Sequence, residues 1–327
     1  MTSFCLGAVQ SPRDALGTVL ADIAARDDRL VVIDADLGRS TGLAEYERRF
    51  PDRFVQVGVA EQNALGIATG LAYAGYRPVF VSFAMFAVGL TWTQLRQAAY
   101  AGLPVTVIGT HPGLDAGPDG GTHQMCEDLA LTRTIPELAV LAPADTSEVA
   151  AAVEAAYQLD RVAYVRIGRY PVPDLHAPVS LYPEGRGEVL RAEGTDCLFV
   201  AEGSGVWVSL QAAEQLAKDG IGARVLNARW IKPFDVELLR AHAAEVDLVV
   251  TVENHSALGG LGGVVAEVLT DPAAPILRPV LRLGTDDLFG ESGSLEDLRI
   301  ARGLTPDAIA ARTVAVLRDR TSERPSH

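Results

Sequence analysis

Short β-branched runs alternate with stretches of helical periodicity along the first half of this chain. Leu30 to Ala35, Arg53 to Val57, Pro78 to Val81, Val105 to Gly109, Leu138 to Leu141 and Ala163 to Ile167 read as strands. Near-continuous apolar strands separated by helices are the pattern of a parallel sheet covered on both faces. The helix ahead of them is expected to begin at Ser11-Pro12-Arg13-Asp14, with a capping serine, a proline at the first position and an acid in the first turn. Its apolar stripe is Leu16, Val19, Leu20 and Ile23. From Arg169 to Glu188 four prolines and two glycines break any periodicity, and the chain reads as irregular.

Beyond that break the alternation resumes. Strands are expected near Cys197 to Ala201, Ala223 to Asn227, Leu248 to Val252 and Val280 to Leu283, and helices near Val206 to Lys218, Asp235 to Ala243 and Val264 to Leu269. The expected fold is α/β with two domains, each a mostly parallel sheet flanked by helices. The first spans 1–175, a linker 176–190, and the second 191–327. The polar tail from Arg318 to His327 is expected to fray.

A length of 327 residues suits two domains, each able to bury a core. The net charge of −14 argues against nucleic acid or an anionic membrane as partner, since both attract Lys and Arg patches. Cys5, Cys126 and Cys197 have no paired spacing, so neither a disulfide framework nor a zinc site is expected, and no metal ligand is assigned to this chain. No basic leader precedes an apolar core, and no apolar run approaches the ~18 residues of a membrane span. A cytoplasmic protein is the expectation.

Three segments stand apart. In Gly58 to Leu71 (GVAEQNALGIATGL) the carboxyl of Glu61 is flanked by glycine, alanine and aliphatic side chains, a setting that penalises its charged form. Pro78 to Phe86 (PVFVSFAMF) is rich in phenylalanine. Gly109 to Gln124 (GTHPGLDAGPDGGTHQ) holds His111 and His123, two of only six histidines in the chain. Imidazole titrates near neutrality and can donate, accept or bind an anion, which suits a polar substrate. Together the three segments look like half of an active site.

Taken in order, these motifs resemble a known family. ADLGRS (Ala35 to Ser40), GVAEQN, SFAMF, the GTHPG and PDGGTHQ loop, PAD (Pro143 to Asp145), VRIGRYPVP (Val165 to Pro173), IKPFD (Ile231 to Asp235) and ENHSALGGLGG (Glu253 to Gly263) cover nearly the whole chain. The chain resembles the C-terminal half of transketolase, the pyrimidine-binding domain plus the C-terminal domain, as found in enzymes split into two subunits.

The resemblance implies thiamine diphosphate as cofactor, with Glu61 hydrogen-bonded to its aminopyrimidine ring and Phe83 and Phe86 packed against that ring. Asp36 and Leu37 would face the thiazolium side across a subunit interface. His111, Asp119 and His123 would face substrate, with Glu61, His111 and His123 as the catalytic set. Arg13, Ser40, His111 and Arg169 match the positions that hold the phosphate of a sugar phosphate, and arginine suits phosphate through its bidentate fork. Gly89 stands where the family carries a further aromatic, so one wall of the ring pocket is reduced or rebuilt. Arg39 is open to two readings, a substrate contact or a solvent-facing side chain. His255 is expected to be structural.

The family's other half binds the diphosphate through a divalent cation, using a Gly-Asp-Gly turn followed by an asparagine. The nearest string here, PDGG (Pro118 to Gly121), has no asparagine after it until Asn227. The resemblance therefore implies a separate subunit carrying the diphosphate and Mg, most simply in an α2β2 tetramer. The implied activity is transfer of a two-carbon ketol unit between sugar phosphates. Two alternatives share the cofactor: the β subunit of a 2-oxo acid dehydrogenase E1 component, disfavoured by His123 and the phosphate quartet, and a deoxyxylulose phosphate synthase-like enzyme, disfavoured because Ala87, Val88 and Gly89 follow Phe86 where that family carries an arginine. A non-catalytic subunit is the remaining class.

Overall fold

The apolar runs become strands, and their buried faces decide the layers. A computed structural model describes residues 7–177, 179 and 181–323, so Cys5 and residues 324–327 of the tail lie outside the described residues. The first half contains the strands β1 (Val9–Gln10), β2 (Leu30–Asp34), β3 (Phe54–Gln56), β4 (Arg77–Phe83), β5 (Thr106–Thr110), β6 (Ala139–Leu141), β7 (Ala163–Ile167) and β8 (Val172–Pro173). Between them run the helices α1 (Leu16–Ala24), α2 (Ala44–Arg49), α3 (Glu61–Tyr73), α4 (Trp92–Tyr100), α5 (Asp128–Arg133) and α6 (Thr146–Gln158). The second half supplies β9 (Glu188–Arg191), β10 (Cys197–Ala201), β11 (Ala223–Asn227), β12 (Trp230–Lys232), β13 (Leu248–Ser256) and β14 (Val280–Thr285). Its helices are α7 (Gly205–Lys218), α8 (Val236–Ala243), α9 (Leu261–Leu269), α10 (Leu295–Ala301) and α11 (Pro306–Glu323).

The first sheet has the order β12-β6-β7-β5-β4-β2-β3, parallel except for β12. Its strands β2, β5, β6 and β7 are buried at every residue, as expected for a sheet with helices on both faces. On one face Leu16, Leu20 and Ile23 of α1 pack with Tyr46 of α2 and Val149, Val153 and Ala156 of α6. On the other, Ala64, Leu65 and Ala68 of α3 join Leu95 and Ala98 of α4, and this core continues into Leu226, Ile231, Val249 and Leu261 of the second half. The second sheet has the order β14-β13-β10-β11-β9, with β9 antiparallel at its edge. Helices α7 and α11 close its outer face. The two-domain α/β architecture is thus the one the pattern predicts.

Four local differences matter. Pro12–Ala15 is a 3-10 turn, and the Ser11 hydroxyl does not cap it; it donates to the carbonyl of Arg169 at 2.8 Å instead. Strand β13 runs on from Val252 through Glu253, Asn254 and His255, because those polar groups find buried partners. Strand β12, inside the IKPFD region, crosses to the first sheet and pairs Trp230 with Leu141. The helix α11 continues through Glu323 where fraying was expected from Arg318.

Two buried ionic clusters join the halves. Arg166 on β7 donates to Asp128 at 2.8 Å and to Glu202 at 3.0 Å, and Tyr164 donates to the same Asp128 oxygen. The second cluster holds His176, whose Nδ1 bonds Asp145 at 2.7 Å and whose Nε2 lies 3.0 Å from Glu188. Asp145, Glu148 and His176 are, among the described residues, the group whose ligand atoms lie close enough for a metal, within 4.8 Å. Those atoms are already engaged: Asp145 caps α6 and accepts from Leu175 and His176, and Glu148 accepts from Ala144, Asn227 and Arg229. Burial alone would lower the pKa of His176, but its bonds to Asp145 and Glu188 and the charge of Glu148 lift it to about 10.

Replacing Arg166 by leucine strands two buried carboxylates, and urea unfolding should show a loss of about 3–5 kcal/mol. The raised pKa of His176 gives a second expectation. The native state holds a proton that the unfolded chain releases above its ordinary value of 6.5, so the stabilisation is complete below pH 6.5 and is lost as pH rises through about 10. The melting-temperature advantage of wild type over His176→Gln should therefore shrink over that window, and an advantage that grows with pH would contradict it.

Candidate active site

The C-terminal ends of the parallel strands of the first sheet deliver nearly every residue singled out in the sequence. Strand β2 has β3 on one side and β4 on the other, so the chain reverses direction there and opens a crevice beyond the strand ends. The register aligns these ends: Asp34 pairs with Gln56 and with Val81, Phe83 with Thr110, and Thr110 with Ile167. Immediately beyond them lie Asp36 to Ser40, Glu61, Phe86, His111 and Arg169.

The turn after β2 is built by two polar side chains that sequence reading did not single out. Asp34, almost fully buried, accepts from the amide of Leu37 at 3.2 Å and from Gln56 Nε2 at 2.6 Å. The amide oxygen of Gln56 accepts from the backbone of Asp36 and of Gly58. One glutamine thus ties the Asp36 turn to the approach to Glu61. Asp36 takes a φ of 68°, an uncommon conformation for a non-glycine residue, and its side chain is exposed. A carboxylate ending a wholly apolar strand was the available signal for Asp34.

Glu61 is the first residue of α3, where the helix dipole favours an acid. It is only 6% exposed, yet its carboxylate has no hydrogen-bond or ion-pair partner among the described residues. The carboxylate is left with free acceptor positions at the mouth of the crevice, where a ligand could meet them. After β4 the chain makes a π-helical turn over Met85–Leu90, a form common at functional sites. That turn sets the rings of Phe83 and Phe86 nearly parallel, 15° apart with centroids at 6.1 Å. Gly89 lies on the same turn, exposed, 3.3 Å from Met85 Sδ at the point where a Cβ would stand.

His111 follows β5 with a φ of 58° and is 1% exposed. Its ring stacks on Phe83 at 3.9 Å. Arg13 Nη1 lies 3.0 Å from Nε2, and since arginine only donates, that nitrogen accepts; Nδ1 then carries the proton and donates to Thr110 Oγ1 at 2.9 Å. Burial first, then the charges of Arg169, Arg13 and His123, push the His111 pKa down to about 3, so the ring is neutral at physiological pH. His123 sets its edge against Phe86 at 5.3 Å and bonds Thr122 through Nδ1.

The four expected phosphate ligands converge. The same Arg13 nitrogen that reaches His111 also donates to the carbonyl of Ser40 at 2.9 Å, and Arg169 is near enough to depress the histidine. Arg169 is itself anchored, donating to the carbonyl of Ala116 and to Asp119 at 3.0 Å. Asp119 therefore pairs with an arginine in this structure, a role that its expected substrate contact did not include. Arg39 is exposed on the turn after β2. His255 is fully buried, its Nδ1 donating to Ser256 O and its Nε2 accepting from the amide of Ala130, which is the structural role expected. The arrangement pairs two near-parallel aromatic rings with a positive cluster in a protein of net charge −14, chemistry suited to a flat aromatic group beside an anion.

Comparison with known proteins places the chain in a family. Residues 9–173 match the transketolase pyrimidine-binding domain and residues 185–309 the transketolase C-terminal domain. A protein of Methanocaldococcus jannaschii provisionally named a transketolase C-terminal section is 38% identical over 309 residues, covering 94% of this chain and 96% of its own length. The 6-deoxy-6-sulfo-D-fructose transketolase subunit SqwH of a Clostridium species is 39% identical, with 91% of both chains covered. A 1-deoxy-D-xylulose-5-phosphate synthase of Thermomicrobium roseum is also 39% identical, but the chain spans only 50% of its length. Among solved structures, a split-gene transketolase described as an inactive β4 tetramer superposes with a TM-score of 0.86 at 38% identity, covering 94% of this chain and 98% of that one. The chain belongs to the transketolase family, whose pyrimidine-binding and C-terminal domains it carries.

Proposed function

We propose that the chain is the C-terminal subunit of a thiamine diphosphate-dependent transketolase, moving a two-carbon ketol unit from a ketose phosphate to an aldose phosphate. The observation that carries this reading is a largely buried glutamate whose carboxylate has no partner among the described residues, set with a parallel phenylalanine pair and an arginine–histidine cluster along one edge of one sheet. The residues fit the cofactor's pyrimidine half. Glu61 offers the hydrogen-bonding carboxyl that an aminopyrimidine needs, and Phe83 and Phe86 offer flat faces. Asp36 and Leu37 lie at the same strand ends, where they would meet the cofactor's other ring. When bound, thiamine diphosphate supplies the nucleophilic carbon that receives the ketol unit.

This chain's residues then divide the remaining work. Glu61 holds a proton at the pyrimidine nitrogen and returns it. Arg13, Ser40 and Arg169 fix the substrate phosphate. His111, expected as the fourth phosphate position, is neutral with Nε2 an acceptor, so it orients Arg13 and accepts from the sugar's hydroxyls. His123 hydrogen-bonds the sugar's oxygens, and Asp119 acts through Arg169. Neutrality of His111 suits this role, because a neutral imidazole can exchange bonds with hydroxyls without repelling the neighbouring guanidiniums.

The diphosphate and Mg are assigned to a separate N-terminal subunit, in an α2β2 tetramer with sites at the interfaces. Apolar surface beside the site supports a partner here: Val59 is 80% exposed and Leu90 50%. We divide the chain into a pyrimidine-binding domain (1–175), a linker (176–190) and a C-terminal domain (191–327), and place the enzyme in the cytoplasm; no helix among the described residues is long and apolar enough to cross a membrane. The whole-length similarity to transketolase subunits favours this reading over a deoxyxylulose phosphate synthase, as does the absence of an arginine at Ala87, Val88 or Gly89.

Mixed with the diphosphate-binding subunit, cofactor and magnesium, the chain should transfer ketol units in a coupled spectrophotometric assay, and without that subunit it should not. In the mixed complex Glu61→Gln should lose at least ~100-fold in kcat with an unchanged circular dichroism spectrum; full activity in this variant would leave only a non-catalytic role. Arg169→Ala removes a charge-assisted contact worth about 1.5–3 kcal/mol, so KM for the phosphorylated acceptor should rise roughly 10- to 100-fold while an unphosphorylated acceptor is little affected.

A further inference from the structure

We propose that Asn254, a residue of the C-terminal domain, is a positioning residue for His111 and Arg169. It touches neither the ring pocket nor the phosphate cluster and acts through the backbone of the loop that follows His111.

The side-chain amide of Asn254 makes three hydrogen bonds, all to residues 112–115. Oδ1 accepts from the amide of Leu114 at 2.8 Å, and Nδ2 donates to the carbonyl of Pro112 at 3.1 Å and to Asp115 Oδ1 at 3.0 Å. One partner only donates and two only accept, so the orientation of the amide is fixed. The fit is tight on the backbone side as well. Gly113 has a φ of 53°, and a Cβ there would stand 2.0 Å from the carbonyl oxygen of Asn254. The loop therefore follows the surface of Asn254, beginning one residue after His111 with its own positive φ of 58°.

The second link runs through Asp115, which is 1% exposed. Its Oδ1 takes the Asn254 amide and its Oδ2 accepts from the backbone of Arg169 at 2.9 Å. A single amide thus sets the loop behind the substrate histidine and, through one carboxylate, the backbone of a phosphate arginine. Asn254 is itself held at both ends, its amide nitrogen donating to Glu202 Oε1 at 3.0 Å and its carbonyl accepting from Arg166 at 2.5 Å. The geometry of the first domain's site is in this way referred to the second domain.

The test compares wild type with N254D, D115N and the double variant N254D/D115N, all in the full chain. N254D removes both donors and sets a second carboxylate 3.0 Å from Asp115; D115N sets two donors against each other; the double variant restores one donor facing one acceptor. With histidine labelled in 15N, wild type should show His111 neutral with the proton on Nδ1 down to low pH. N254D should show mixed tautomers and titration displaced towards the ordinary histidine range, and the double variant should return towards wild type. In the mixed complex N254D should raise KM for the sugar phosphate by at least ~10-fold with kcat within about 3-fold, and the double variant should recover most of that loss. Should N254D not fold by circular dichroism, N254S removes the amide without adding charge and should give the same His111 displacement. A His111 spectrum unchanged in a folded N254D or N254S, or a double variant no better than N254D, overturns the inference. The kinetic arm rests on the proposed function; the spectroscopic arm does not. Histidine spectra in the expected order with no ketol transfer by the wild-type complex would leave the positioning role standing and remove the transketolase reading.

Discussion

Arg166 is the constraint on which the rest of the structure depends. Its guanidinium is almost fully buried at the junction of the two domains, where an uncompensated charge would be prohibitive. Three partners remove the penalty: Asp128 from the first domain, and Glu202 and the carbonyl of Asn254 from the second. Each geometry fixes the next. The strand carrying Arg166 ends at Ile167, two residues before Arg169, the carbonyl of Asn254 is held so that its amide meets the histidine loop, and burial raises the pKa of Glu202 while the arginine and the Asn254 backbone oppose that rise. The two domains share a continuous apolar core and the β12 pairing, and this buried cluster adds directional bonds across the same junction.

That junction explains how the site tolerates unfavourable local conformations. Of the described residues other than glycine, Asp36, His111 and Glu137 have a positive φ, and two of those three border the strand-end crevice. Such conformations persist only where the surroundings over-determine them. Gln56 does this for Asp36 by accepting from its amide, and the bonds of Thr110 and Arg13 do it for His111. The neutral imidazole and the parallel phenylalanines are thus held by the chain's own bonds and packing, and groups fixed in this way lower the ordering cost of binding.

Much of this was legible in the sequence, and what was not has a common cause. Ala163–Ile167, Cys197–Ala201 and Ala223–Asn227 emerge with the boundaries their apolar runs suggested, because a buried parallel strand writes its limits directly into composition. Glu61, the phenylalanines and the histidine loop carried local signals. The polar residues that hold them carried none: Asn254 and Leu114 are bonded across 140 positions, and Asp115 and Asn254 across 139. The ENHS segment drew attention to His255, which proved to be packing, while its neighbour Asn254 reached the loop. Ser11 looked like a cap because its sequence context is that of a cap, yet a carbonyl 158 positions away captured its hydroxyl. Periodicity reports what a residue is buried in, not which distant polar group it meets.

The crossing of β12 into the first sheet has a consequence for how the chain is made. Strand β6 is an edge until Trp230 pairs with Leu141, so its outer row of hydrogen-bonding groups has no native partner while the intervening segment is being synthesised. About ninety residues separate the two, which at ~5–20 residues per second leaves that edge open on the ribosome for on the order of 5–20 s. The first domain cannot finish its own sheet before about a third of the second has been translated. Vectorial synthesis thus makes the late, short strand the seal on the earliest-built layer of the protein.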